Sequence, residues 1–355
     1  MPKYKVEKVG AEVGKQYVDL VALNFSERSA ELKRIAWDWC FAPLRPGEER
    51  TTFTAVLLAD DEIVGAGLLL GVDMWIAGRT EPGWVILGTS VHPDHRGRGL
   101  MLVKSYYNNL FDRGVAIGMG NETSDILHVR FGADRSPRRI TRFKLYRSKT
   151  PLTRRAEWLG GLSGVADAVL RAGQTVERVR GPRLRSDEQI VPLEAFDEDY
   201  EDFWLRARAN YPMLLSRDAD YMKWRYLDAP FENYGIDVLR DGSGIQGVVV
   251  TRVGIVNDRR VGQIVDLLPV RPDARGFGLL LAAADRRLSK TDAEYATISY
   301  VPRDELDLAA RRAGFHSPRP GLVVSAKGFD PACAEDVTRL MGDVYFMRGD
   351  QDEDY

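Results

Sequence analysis

The sequence contains few of the residues that build metal centres or disulfide frameworks. Among 355 residues there are two cysteines and four histidines. Cys40 and Cys333 are far apart and do not have a metal-ligand spacing. We therefore expect both to be reduced, buried thiols, and we expect no metal site.

Long apolar runs and a large excess of one charge are also missing. The start, MPKYKVEKVG, has no apolar signal core, and no stretch approaches the twenty apolar residues needed to span a bilayer. The formal net charge of -2 argues against a general nucleic-acid coat, which usually needs a strong basic excess. The sequence predicts a soluble, cytoplasmic protein with no membrane partner. Its length is natural for two domains.

The most informative feature is a stretch that occurs twice. Val91–Leu102 reads VHPDHRGRGLML and Val270–Leu281 reads VRPDARGFGLLL, with eight of twelve positions identical. The repetition extends beyond this stretch, because Trp37 precedes Pro43 by the same interval as Trp224 precedes Pro230. A repeated order of strand, turn and helix signals indicates a tandem duplication.

This duplication predicts an α/β fold in two tandem domains. We place them at residues 1–150 and 191–355, with a helical basic linker at 151–190. The linker has helical apolar spacing and several arginines, so it is either a helix packed across the domains or a surface for RNA or anionic membrane. The C-terminal DQDEDY is expected to be a frayed acidic end. The aromatic residues near the prolines are expected to be core anchors, and they are Trp37, Trp39, Trp224 and Tyr226.

Each copy of the repeat has the pattern of an anion-binding turn. In Arg96-Gly97-Arg98-Gly99 the glycines allow a tight turn and close backbone approach to a ligand. The following run, LMLVKSYYNNLF, is a good helix, whose N-terminal N–H groups attract anions. The pattern Val91-x-Pro93-x-x-Arg96-Gly97-x-Gly99 resembles motif A of the GNAT superfamily of acyl-CoA-dependent N-acyltransferases.

The resemblance implies a tandem GNAT protein with mixed sheets that uses acetyl-CoA or another acyl-CoA as donor. Met101 departs from the small residue that ends the family's Q/R-x-x-G-x-G/A pattern. The implied donor-binding residues are Val91, Arg96, Gly97, Arg98, Gly99, Leu100, Met101 and Asn121.

A second family pattern, N-x-x-A-x-x-x-Y-x-x-x-G-F, follows motif A and provides a tyrosine that protonates the departing thiolate. Asn121 and Gly132 hold this spacing in the first half, and His128 occupies the tyrosine position. Histidine donates protons near neutral pH. The same position in the second half is Ala310, which cannot be an acid. The first half is therefore the expected catalytic half, with a packed or surface histidine as the alternative for His128.

The base that deprotonates the amine is not identified by a motif. Glu122, Glu81 and Asp73 are candidates that lie near the turn in sequence. Asp266 lies in the matching strand of the second half, where it either binds the acceptor's ammonium group or pairs within its own core.

Three functions fit these patterns. The first is acyl transfer from acyl-CoA to a small-molecule amine acceptor, such as an amino sugar or amino-acid derivative, with an acyl carrier protein as a possible substitute donor. The second is a transferase that uses aminoacyl-tRNA, and the third is a non-catalytic acyl-CoA-binding protein.

Overall fold

The computed structural model describes residues 2–44, 51–108, 110–146, 182–230 and 233–350. These residues form a mixed α/β fold, as the sequence predicts. The strands are β1 (Tyr4–Val9), β2 (Phe53–Ala59), β3 (Glu62–Gly71), β4 (Met74–Ile76), β5 (Arg79–Glu81), β6 (Gly83–Val91), β7 (Val115–Gly120), β8 (Asp134–Arg135), β9 (Ile140–Leu145), β10 (Gln189–Pro192), β11 (Met213–Leu215), β12 (Gly235–Asp241), β13 (Gly244–Val256), β14 (Arg259–Pro269), β15 (Tyr295–Tyr300), β16 (His316–Pro320) and β17 (Val323–Gly328).

The α-helices are α1 (Gly14–Asn24), α2 (Glu27–Phe41), α3 (Gly99–Asn108), α4 (Glu122–Arg130), α5 (Glu198–Arg208), α6 (Ala219–Met222), α7 (Ala274–Leu288), α8 (Asp304–Arg312) and α9 (Pro331–Leu340). A π-helical turn, Lys223–Leu227, follows α6 directly. Several helices begin at a side-chain cap; for example, Asp197 accepts the N–H of Tyr200 at the start of α5.

Two compact units make up the described chain. Unit 1 comprises Met1–Arg138, Pro212–Glu232 and Leu322–Tyr355, and unit 2 comprises Arg139–Tyr211 and Asn233–Gly321. Neither unit is a continuous stretch of sequence. The predicted boundaries at residues 1–150 and 191–355 therefore differ from the units that the structure forms.

Unit 1 is built on a seven-stranded sheet in the order β1-β2-β3-β6-β7-β17-β8. Its neighbouring strands are antiparallel except β6 and β7, which are parallel. Strand β2 is buried along its whole length, which explains its uninterrupted apolar sequence FTAVLLA. Helix α1 packs on β3 and β6, α3 packs on β1, β2 and β3, and α4 packs on β7 and β17.

Unit 2 repeats this arrangement in the order β10-β12-β13-β14-β15-β9-β16, with β14 and β15 as its parallel pair. Helix α7 packs on β12, β13 and β14, beside α8. The repeated stretch thus occupies the same place in both units, between the first strand of the parallel pair and the helix that follows it. This is the duplication that the sequence predicts.

An exchange of strands explains why the units are discontinuous. Strand β9 follows the first half in sequence but pairs with β15 in unit 2, whereas β17 follows the second half and pairs with β7 in unit 1. The two strands have equivalent contacts. Lys144 on β9 donates to the carbonyl of Ala313 at 2.7 Å, and Lys327 on β17 donates to the carbonyl of Phe131 at 2.9 Å. The two strands therefore occupy equivalent positions in the two sheets.

A stacked pair of tryptophans joins α2 to the π-helical turn within unit 1. The rings of Trp39 and Trp224 are 4.1 Å apart and inclined by 7°. Each indole N–H donates to the other residue's carbonyl at 2.9 Å. Trp37 and Tyr226 are also buried, so the prediction that these repeated aromatics are core anchors is confirmed.

Asp350, the first residue of the acidic end that the sequence suggests is frayed, is buried in unit 1. Asp350 accepts two hydrogen bonds from Arg217 at 2.9 and 2.8 Å, and both side chains are almost completely buried. Asp350 also accepts the N–H of Met347. A buried charge pair of this kind needs such full hydrogen bonding. Residues 351–355 lie outside the described residues.

Most of the predicted helical linker, residues 151–181, also lies outside the described residues. Its last part differs from a helix, because Gln189 and Ile190 belong to strand β10. In the described chain no helix is both long enough and apolar enough to cross a membrane. Cys40 and Cys333 are buried, as predicted.

The tryptophan stack predicts the effect of truncating one ring. Trp39→Ala should lower the free energy of unfolding by about 3–5 kcal/mol, because it removes a large buried side chain and two hydrogen bonds lose their geometry. Phe25→Ala is the matched control, since Phe25 is 61% exposed, and it should change stability by less than about 0.5 kcal/mol. Chemical denaturation measures both. Equal, small effects would show that the stack is dispensable.

Candidate functional site

Strand β6 bends near its end, where a glycine is required. The register between β3 and β6 shifts between Ala66 and Leu68, which marks a β-bulge. Gly88 has φ +48°, and a Cβ there would lie 2.2 Å from the hydroxyl of Tyr17. That hydroxyl donates to the carbonyl of Gly88 at 3.1 Å. Helix α1 therefore holds the bend in place.

Beyond this bend the parallel strands β6 and β7 separate. Their pairing runs only from Gly83 with Val115 to Ile86 with Gly118, although β6 continues to Val91. The remaining part of β6 has no β7 partner among the described residues. The gap forms a wedge open toward the ends of both strands, and we call it the unit 1 wedge.

The repeated turn follows the wedge and is open to solvent. Pro93–Arg98 form a 3₁₀ helix, and α3 begins at Gly99. The ring of His92 accepts the N–H of Asp94 at 3.3 Å. A Cβ at Gly97 would meet no atom within 4 Å, so this backbone is accessible to a ligand.

The structure distributes the predicted donor-binding residues over two environments. Exposed residues of the turn are Arg96, Gly97, Arg98 and Leu100. Val91 and Met101 instead pack against the hydrophobic core of unit 1. A Cβ at Gly99 would lie 3.2 Å from the side chain of Val91, so this glycine allows the strand and helix to approach. Met101 therefore does not obstruct the turn, despite its departure from the family pattern.

The equivalent turn in unit 2 is filled by the protein's own groups. Asp273 caps α7 by accepting the N–H of Gly276 at 2.6 Å. Arg275 makes two hydrogen bonds to Glu188 at 2.8 and 2.6 Å, and this interaction lowers the pKa of Glu188 to about 2. Phe277 is fully buried at the position of Arg98. A carboxylate already occupies the helix N-terminus here, so a second anion would be repelled.

His128 lies in an environment that disfavours the predicted role as general acid. Its side chain is 5% exposed, and its Nδ1 lies 2.7 Å from the hydroxyl of Tyr107. Burial lowers the pKa of His128 to about 4, while the charge of Asp125 partly opposes this change. At neutral pH the ring is uncharged, so it has no readily released proton. The alternative, a packed core histidine, fits the structure better.

The remaining predicted residues are not part of the turn. Asn121 caps α4, because its side-chain oxygen accepts the N–H of Ser124 at 3.0 Å. Glu122 is the first residue of α4, but its side chain lies outside the described part of the structure. Asp266 is buried in β14 of unit 2, where it accepts the N–H of Leu267 at 2.8 Å. It therefore belongs to a different unit from the turn.

Two hydroxyl groups lie where the sequence patterns pointed to none. Thr89 stands in the part of β6 that borders the wedge, and its hydroxyl is 3.1 Å from that of Tyr106 on α3. A Cβ at Gly67 would lie 2.0 Å from the Tyr106 oxygen, so the missing side chain makes room for it. Burial raises the pKa of Tyr106, and its hydrogen bond to Thr89 partly offsets the rise. Its phenol therefore stays protonated at neutral pH. The helical spacing in the sequence predicts only that Tyr106 is an ordinary core residue of α3.

A cavity of about 220 Å³ in unit 1 lies at the end of β7. Its lining residues are Gly120, Asp125, Arg138, Leu322 and Val323. Asp125 on α4 pairs with Arg135 at 2.8 Å and accepts from Ser325 at 3.2 Å. The carboxylate is thus held in a fixed position at the edge of the cavity. No motif identified Asp125, because it lies between the positions of the family pattern.

The environment of His128 predicts a specific loss of stability in acid. The folded pKa of about 4 is below the ordinary value near 6.5, so the unfolded chain takes up the proton first. This contribution is fully present above pH 6.5 and is lost as pH falls toward 4. At about 1.4 kcal/mol per pH unit, the loss is about 3 kcal/mol.

The test is urea denaturation between pH 7 and pH 4 for the wild type and His128→Gln. Glutamine keeps a polar partner for Tyr107 but does not titrate, so the variant should lose less stability over this range. Parallel pH profiles would contradict the buried, uncharged histidine.

No protein-family description matches the sequence, and no curated protein matches it. Solved structures do resemble the fold. A probable N-acyltransferase from Enterococcus faecalis has a TM-score of 0.58 and 14% identity, over 93% of this chain and 73% of the other. N-myristoyltransferase from Saccharomyces cerevisiae, with bound myristoyl-CoA, has a TM-score of 0.55 and 12% identity, over 97% and 89%.

A tandem GNAT protein from the clavulanic acid biosynthesis pathway has a TM-score of 0.54 and 14% identity, over 93% of this chain and 99% of the other. This similarity spans both units and nearly the full length of each protein. Together with the duplicated sheets and turns, it shows that the chain has the tandem GNAT fold.

Proposed function

We propose that the protein is an acyl-CoA-dependent N-acyltransferase with its donor site in unit 1. The observation that carries this proposal is the difference between the two repeated turns. The turn of unit 1 is open, exposed and cationic, whereas the turn of unit 2 holds a capping carboxylate and a paired arginine. Only the first leaves room for the diphosphate of a donor.

The turn and the wedge have complementary tasks in this proposal. Arg96 and Arg98 neutralise the diphosphate, and charge-assisted hydrogen bonds of this kind are about twice as strong as neutral ones. Arg98 lies over the ring of Tyr4 at 4.7 Å, which restricts its position. The extended arm of the donor enters the wedge beside the unpaired end of β6. The yeast enzyme of the same fold was solved with myristoyl-CoA, which supports an acyl-CoA donor.

The transfer itself requires two proton movements. The neutral amine of the acceptor attacks the thioester carbonyl, so a C–N bond forms, a C–S bond breaks and the thiolate leaves. We propose that Thr89 donates a proton to the departing thiolate, and that the protonated phenol of Tyr106 returns a proton to Thr89. Asp125 binds the acceptor's amine at the cavity edge and takes up the proton that the amine loses. The acceptor is then a small amine such as an amino sugar or amino-acid derivative, and acetyl is the transferred group.

A direct binding measurement tests whether coenzyme A is the carrier that delivers the acyl group to unit 1. Gly97→Asp places a carboxylate in the open turn, and the space around Gly97 accommodates it without a clash. Calorimetric titration should show at least tenfold weaker binding of acetyl-CoA, equivalent to about 1.4 kcal/mol.

Gly242→Asp is the matched control, because a Cβ at Gly242 also meets no atom within 4 Å. It adds the same charge in unit 2 and should bind normally. Gly276→Asp is unsuitable, since its Cβ would lie 2.6 Å from a backbone oxygen. Equal affinity in Gly97→Asp and the wild type would remove unit 1 as the donor site. If the wild type binds no acyl-CoA, a carrier protein or aminoacyl-tRNA becomes the donor to test.

The Thr89–Tyr106 hydroxyl pair predicts that substitutions there lower turnover but leave donor binding nearly unchanged. Thr89→Val and Tyr106→Phe should each lower kcat by about 10- to 100-fold, near the lower end of the usual effect of acid–base groups. The KM for the donor should change by less than about threefold. His128→Gln should retain turnover at pH 7. Steady-state kinetics distinguish the groups, and a large loss only in His128→Gln would restore His128 as the acid.

A further inference from the structure

A cavity in unit 2 begins at its repeated turn, where Ala274, Arg275 and Gly278 line it. It has a volume of about 530 Å³ and runs along α7 beside α8. Small residues form its floor, at intervals of four along each helix. They are Ala274, Gly278 and Ala282 on α7, and Ala309 and Ala313 at the C-terminal end of α8.

The duplicated counterpart of this cavity in unit 1 is filled. Matched positions in the two units can be identified because Lys144 and Lys327 bind the carbonyls of Ala313 and Phe131, respectively. Where unit 2 has the small residue Ala313, unit 1 therefore has a phenylalanine. By the same alignment, Leu127 corresponds to Ala309.

The same change occurs along α7. Val103 corresponds to Ala282, and an aromatic ring, Tyr107, corresponds to Arg286. In unit 1 these larger side chains belong to the hydrophobic core. Their loss in unit 2 leaves apolar space that a folded protein rarely keeps empty.

Cations line one end of this cavity. Arg286 on α7, Lys290 just beyond its end and Arg312 on α8 are exposed lining residues. None of the three forms an ion pair within the described part of the chain. The carboxylate in the lining, Asp285, is already paired with Lys144 at 3.1 Å in the interior. The cavity therefore combines an apolar floor with an excess of positive charge at its rim.

We propose that this cavity binds a single-chain anionic amphiphile. Its alkyl chain lies on the alanine and glycine floor, and its carboxylate or phosphate head is held by Arg286, Lys290 and Arg312. The volume is within the range of small-molecule sites, which combine apolar walls with a few convergent polar groups. The site lies wholly in unit 2, so it is independent of the proposed donor site in unit 1.

The first experiment is calorimetric titration of the full chain with laurate and decanoate below their micelle concentrations. Each buried methylene contributes about 0.8 kcal/mol, so laurate should bind roughly tenfold more tightly than decanoate. Dodecyl maltoside has the same chain but no charge, and it should bind more weakly than laurate. Absence of laurate binding, or equal binding of the two fatty acids, would overturn the proposal.

The second experiment refills the cavity with the residues that unit 1 uses. Ala309→Leu combined with Ala313→Phe should abolish laurate binding and raise the denaturation midpoint, because apolar area is added to an open space. A lowered midpoint would mean that the space is already filled and overpacked by the change, which would contradict the proposal.

The third experiment removes the rim charge. Arg286→Ala with Arg312→Ala should weaken laurate binding at least tenfold and reduce its salt dependence. Arg311→Ala is the matched control, since Arg311 is exposed on the same helix but does not line the cavity. Equal binding in both variants would exclude recognition of the anionic head by these cations.

Discussion

The separation of two parallel strands is the constraint on which the candidate site depends. Strands β6 and β7 pair over four residues and then diverge, because β6 is bulged and bent at Gly88. The phenol of Tyr17 fills the space that a side chain at Gly88 would need, and it donates a hydrogen bond to the carbonyl of Gly88. These two contacts hold the bend in place. A straight β6 would continue the ladder and close the wedge. The turn, the helix α3 and the Thr89–Tyr106 pair all take their places from this bend.

The two repeated turns have similar sequences, but their aspartates and arginines have different contacts. Both contain the same V-x-P-D-x-R-G-x-G pattern. In unit 2 the aspartate, Asp273, caps the helix, whereas in unit 1 Asp94 points into solvent with an exposed side chain. The arginines differ in the same way, since Arg275 is paired and Arg96 is exposed. What surrounds each pattern therefore decides whether it can receive an anion.

The sequence predicts those features that depend on local patterns. The duplication, the turn before α3 and the buried tryptophans follow from spacing and composition, and the mixed sheets follow from the family resemblance. The exchange of β9 and β17 does not follow from either, because both are short strands with a lysine at the equivalent position, Lys144 and Lys327. Tertiary contacts, such as the pair of Arg142 with Asp307 in unit 2, connect each strand to its sheet.

The candidate site was harder to predict for a related reason. The spacing that places His128 at a catalytic position is also the spacing of a helix face packed on a core, and burial decides between them. Thr89 and Tyr106 are common residue types in positions that no pattern marks, and their significance comes from the gap beside β6. Likewise, Asp125 becomes a candidate because it lines a cavity to which β17 also contributes. That strand lies almost 200 residues later in the chain.

The strand exchange also determines the order in which the protein can be completed during synthesis. The sheet of unit 1 needs β17 beside β7, and its interior needs Asp350 to neutralise Arg217. While the ribosome is still translating Asn233–Gly321, unit 1 therefore has an unpaired sheet edge, and Arg217 lacks its counter-ion. Domains usually fold one after another as they emerge, but here neither half is finished alone. The chain therefore folds as one cooperative unit, and neither half can be expressed or recombined as a separate module.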